Sequence, residues 1–75
     1  MNAEIADTVY AFICQYIREN NGLVPSQREI ASGCYISQPT VNRYLDILEA
    51  QTRIARKQGQ ARSITILDAK NSERM

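Results

Sequence analysis

The chain contains no histidine and no tryptophan, and only two cysteines, three glycines and two prolines among its 75 residues. Lacking histidine, it lacks the commonest general base and metal ligand. Cys14 and Cys34 do not form a cluster with metal-ligand spacing. Gly22, Gly33 and Gly59 are too dispersed to build a glycine-rich phosphate loop. A serine–lysine pair has only Lys57 and Lys70 to draw on, both in the C-terminal third. No enzyme activity, metal, cofactor or small-molecule ligand is therefore expected. Secreted domains this small usually carry four or more cysteines, and Glu4 and Asp7 interrupt any signal-peptide pattern. A reducing cytoplasm is the expected compartment. No apolar run approaches the roughly 18 residues that a membrane helix needs.

A chain of 75 residues buries only roughly 60% of its unfolded surface, which supports one core and one domain. Hydrophobic residues at 44% and charged residues at 23% are ordinary for a folded chain. The formal net charge of +1 conceals an uneven distribution. Residues 1–25 set Arg18 against Glu4, Asp7 and Glu19, one cation against three acids, for a net −2. Residues 26–66 set Arg28, Arg43, Arg53, Arg56, Lys57 and Arg62 against Glu29, Asp46 and Glu49, six against three, for a net +3. Such asymmetry suits a nucleic-acid contact surface, although a solvated basic hairpin produces the same count.

Ile5, Val9, Phe12, Ile13, Tyr16 and Ile17 recur at three- and four-residue intervals, the spacing of an amphipathic helix of about four turns. It stops at Asn20-Asn21-Gly22, where Gly22 can take the left-handed conformation of a helix C-terminus. Ser26-Gln27-Arg28-Glu29 reads as a capping box opening a short second helix that ends near Ser32-Gly33. Ser37 caps a third helix from about Gln38 to Ala50, with Pro39 in its first turn, where an N–H has no intrahelical partner. On that helix Val41, Tyr44, Leu45 and Leu48 share one side; Pro39, Arg43, Asp46 and Ile47 lie opposite, flanked by Thr40 and Asn42.

Beyond Gln51 the period changes. Residues 53–57 and 62–67 read as the strands of a β-hairpin, with Gly59 in the loop and Ile64 and Ile66 on one face. Ile54, Ile64 and Ile66 should pack inward. Residues 1–67 thus form the domain and 68–75 a polar tail without periodicity. The expected fold is mainly α with a small β-hairpin: a three-helix winged helix-turn-helix.

The segment Thr40-Val41-Asn42-Arg43-Tyr44-Leu45, with Leu48-Glu49, resembles the recognition helix of many bacterial repressors. Tyr16-Ile17, Gly22-Leu23-Val24-Pro25-Ser26, Glu29-Ile30-Ala31, Ser37 and the ribbon Gly59 to Leu67 are similar to the LexA-type DNA-binding domain. The resemblance covers roughly residues 5–67 and implies a small bacterial or phage-type transcriptional regulator. Tyr35 and Thr52 depart from it, standing where such families commonly have glycine. Asp46 and Ile47 stand where many relatives have polar or basic residues. The chain stops before a self-cleaving protease domain, so a switch by autoproteolysis is not expected to carry over.

An α-helix fits the major groove, and the N-terminal residues of the recognition helix face base edges. Arg43 suits guanine and Asn42 adenine, with Gln38 and Thr40 in support. Arg28 and the N–H groups at helix starts, including the Ser37 cap, suit phosphates. Arg53, Arg56, Lys57 and Arg62 on the wing are expected to reach the neighbouring backbone or minor groove. The expected partner is double-stranded DNA. A homodimer on a two-part operator is compatible with the small footprint of one module. The rival reading is a winged helix that contacts proteins in a larger assembly, to which Ile47 on the outer face lends itself, although Ile47 equally suits a dimer contact or packing beneath the wing.

Overall fold

The computed structural model describes residues 3–57 and 63–67. Helix α1, Ala3–Glu19, turns Ala6, Val9 and Ile13 fully inward, with Ile5, Tyr10, Phe12 and Ile17 packed beside them. At its end the Gly22 N–H donates to the Ile17 carbonyl at 2.9 Å. Positive φ occurs at both Asn21 (56°) and Gly22 (89°), so the left-handed closure expected of Gly22 starts one residue earlier.

Helix α2, Gln27–Cys34, opens with the capping box in full. The Glu29 N–H donates to Ser26 Oγ at 3.1 Å, and the Ser26 N–H donates to Glu29 Oε1 at 2.8 Å. The helix runs through Gly33 and does not stop there. A Cβ at Gly33 would lie 2.3 Å from the Phe12 ring, so this glycine lets α1 and α2 approach closely. Closure falls instead to Tyr35, left-handed at φ 60°, with the Ile36 N–H donating to the Ala31 carbonyl at 3.0 Å.

Helix α3, Gln38–Ala50, has Ser37 as its cap and Pro39 in the first turn, at the expected limits. It ends in a Schellman closure: the Thr52 N–H donates to the Glu49 carbonyl at 3.0 Å and the Arg53 N–H to the Leu48 carbonyl at 2.9 Å. The left-handed residue is Thr52, at φ 55°. For an L-residue that conformation costs about 1–2 kcal/mol, more than the roughly 0.5–1 kcal/mol entropic penalty of glycine. Thr52→Gly should therefore raise stability by about 0.5–1 kcal/mol, or roughly 3–6 °C in Tm. A thermal melt followed by circular dichroism checks this, and an unchanged or lower midpoint would contradict it.

Strands β1, Ile54–Ala55, and β2, Thr65–Ile66, pair antiparallel, Ile54 opposite Ile66 and Ala55 opposite Thr65. Regular pairing is shorter than the sequence pattern suggested. The Ser63 hydroxyl extends it, accepting the Lys57 N–H and donating to the Lys57 carbonyl, each at 3.0 Å. The hairpin tip with Gly59 and Arg62, and the tail 68–75, lie outside the described residues.

One core joins all these elements: Ala6, Val9 and Ile13 of α1, Ile30 of α2, Val41, Tyr44, Leu45 and Leu48 of α3, and Ile54 and Ile64 of the hairpin. Ile66 and Ile47 are half-buried against it. Ile47 was expected on the outer face; three residues after Tyr44 and seven before Ile54, it is drawn to the edge of the core. The protein is a mainly α, three-helix winged helix-turn-helix with a small two-stranded wing. Among the described residues no helix is long and apolar enough to cross a membrane.

Candidate nucleic-acid interface

The inner face of α3 is fixed by four buried side chains, Val41, Tyr44, Leu45 and Leu48. The N-terminal half of its outer face is consequently held in one orientation. Gln38, Asn42 and Arg43 are exposed there, while Thr40 is half-buried. Ser37 Oγ accepts the Thr40 N–H at 3.2 Å and lies 2.8 Å from Thr40 Oγ1. These two hydroxyls already serve the helix cap, which limits what either can offer to a ligand. Arg28 is exposed in the first turn of α2. Arg28, Arg43 and Lys57 form no ion pair with another described residue.

The remaining basic residues behave differently. Arg53 is drawn onto α1: its Nη1 lies 2.9 Å from Asp7 Oδ1, and its guanidinium carbon sits 4.2 Å from the centroid of the Tyr10 ring. Arg56 reaches from the wing to the rear half of α3, where Nη2 bonds Asp46 Oδ1 and also lies 3.1 Å from Glu49 Oε1. Its Nε donates to the same Glu49 oxygen at 3.2 Å. The Arg56 side chain is 19% exposed, against 65% for Asp46, so the guanidinium is the sheltered member of this cluster. Arg53 and Arg56 thus tie the wing to α1 and α3. Of the four cations assigned to the wing, Lys57 is exposed and Arg62 lies outside the described residues.

Asn42 connects the helix pair to this cluster. Its Oδ1 accepts from Gln27 Nε2 at 3.5 Å and from Arg56 Nη1 at 3.4 Å. Sequence reasoning singled out Asn42 and Arg56 separately and passed over Gln27 and Glu49. Fifteen residues separate Gln27 from Asn42 and fourteen separate Asn42 from Arg56, so no helical or strand spacing could have linked them.

Tyr44 is buried, Tyr10 and Tyr16 are half-buried, and Tyr35 is 90% exposed at the turn between α2 and α3. Cys14 and Cys34 are half-buried free thiols. Burial pushes the Cys34 thiol up from its ordinary pKa, which suits packing and not nucleophilic chemistry. Among the described residues no group of histidine, cysteine, aspartate and glutamate side chains could hold a metal ion. No protein-family model matches the chain, and no curated protein matches its sequence.

Proposed function

We propose that the protein binds double-stranded DNA in a sequence-dependent way, as a small transcriptional regulator of the LexA-type winged-helix class. Helix α3 enters the major groove, and the hairpin lies along the adjoining backbone as a wing. The observation that carries this reading is the division of α3 into two faces. Four core residues fix one face, and the N-terminal half of the other presents Gln38, Asn42 and Arg43 to solvent. In this reading Arg43 pairs with guanine, Asn42 approaches a neighbouring base, and Arg28 and Lys57 hold phosphates.

A second reading, a winged helix that contacts another protein, draws on the internal neutralisation of Arg53 and Arg56. Exposed Tyr35, Leu23 and Leu67 also favour it. An electrophoretic shift with random duplex DNA at low salt separates the two, because a protein-contact module leaves the duplex unshifted. If DNA binds, log affinity should fall against log salt with a slope of about −0.9 for each phosphate contact. Arg43→Ala should then remove about 1–3 kcal/mol of base discrimination, whereas Lys57→Ala should weaken all sequences alike and flatten the salt slope by about one unit. Equal loss of discrimination in both variants would contradict these roles.

A further inference from the structure

Resting on the DNA-binding reading, we infer that Gln27 and Arg56 are positioning residues that fix the Asn42 amide as a hydrogen-bond donor, so that Asn42 selects guanine and discriminates against adenine. The bidentate pairing of asparagine with adenine uses both ends of the amide: the oxygen accepts from N6 and the nitrogen donates to N7. In this protein the oxygen is turned toward two donors of the protein itself. Gln27 Nε2 lies 3.5 Å from it and Arg56 Nη1 3.4 Å. Two donors occupy both lone pairs of a carbonyl oxygen. Both distances are long, so the bonds orient the amide more than they anchor it.

The orientation does not depend on those bonds alone. Asp46 and Glu49 hold the Arg56 guanidinium in place, and a guanidinium has donors only. Flipping Asn42 would set its NH2 group against that fixed cation, so the oxygen stays turned toward it. The exposed end of Asn42 is then the NH2 group. Guanine offers that group two adjacent acceptors in the major groove, N7 and O6. Adenine offers N7 beside an N6 amino group, which would meet another donor next to a positive charge. The arrangement opposes the adenine preference that asparagine alone would suggest.

Selection of bound sites from a random duplex library tests this with wild type, Asn42→Ala and the double variant Gln27→Ala/Arg56→Met. Asn42 is exposed, and Gln27 and Arg56 are only half-buried, so thermal melts should show both variants folded. The wild-type motif should contain a G·C column that becomes flat in Asn42→Ala. In the double variant Gln27→Ala/Arg56→Met, where neither donor faces Oδ1, A·T pairs should rise several-fold in that same column. An A·T column in wild type, no column that responds to Asn42→Ala, or a column unmoved by the double variant would each overturn the inference while leaving DNA binding intact. Failure of wild type to enrich or shift any duplex at low salt would instead overturn the DNA-binding reading, and this inference with it.

Discussion

Leu48→Ala is expected to cost about 2–5 kcal/mol of folding stability. Leu48 is fully buried on the inner face of α3, in the cluster that also takes Ile54 and Ile64 from the hairpin. Truncating it leaves a cavity in the shared core, and the loss combines a transfer term with the cavity term. A chain of 75 residues has a total stability of roughly 4–11 kcal/mol, so this one change removes a large share of it. The thermal midpoint should drop by on the order of 15 °C or more. Leu67→Ala is the control, because Leu67 is 42% exposed and a substitution at such a site usually stays within about 0.5 kcal/mol. Chemical denaturation followed by circular dichroism measures both. Similar losses for the two variants would mean that α3 and the wing do not share a core as described.

The parts of this architecture that rest on neighbouring residues are legible in the sequence. The Ser26–Glu29 capping box spans three residues, and its two reciprocal bonds form where the pattern places them. The limits of α3 follow equally from Ser37, Pro39 and the stripe Val41, Tyr44, Leu45 and Leu48. Glycine misleads in two places because its cause is not always conformational. Gly33 reads as a helix end, yet α2 runs through it and the Phe12 ring of α1 lies where its Cβ would be. Tyr35 and Thr52 read as departures from glycine positions, and both hold the left-handed conformation with their side chains in place.

Charge is the least legible property. A tally of cations shows a basic segment without showing what each cation faces. Arg53 meets Asp7 across 46 residues of sequence, and Arg56 meets acids of α3 seven and ten residues before it. None of these three pairs lies within a single helix or pairs across the hairpin. The sequence reading of Arg53 and Arg56 as backbone contacts therefore counted charge that the fold has already matched. Arg28, Arg43 and Lys57, exposed and without ion pairs to described residues, are the positions where the tally and the structure agree on available charge.

From that matching follows a result with opposite signs for two partners of one cluster. Arg56, Asp46 and Glu49 together carry a net charge of −1 on the rear of α3, one cation against two acids. Arg56→Met changes the local sum to −2 and, if the protein docks on DNA as proposed, leaves two carboxylates near the phosphates of the duplex. DNA affinity should fall, even though Arg56 is mostly covered and need not touch DNA. Asp46→Asn combined with Glu49→Gln changes the sum to +1 and releases the guanidinium for a phosphate, so affinity should rise and the salt slope steepen by about one contact. At roughly 4 Å in water each unit of charge is worth about 1 kcal/mol. Three charges should then separate the two variants by on the order of a hundredfold in Kd at low salt, shrinking as salt screens them. A wing whose role is mechanical gives a different pattern: breaking the cluster from either side loosens the hairpin, and both variants bind more weakly. Titration of a labelled duplex with each variant at two salt concentrations decides between these outcomes. Weakening by both variants would overturn the electrostatic account and leave the clamp as a purely structural link between the wing and α3.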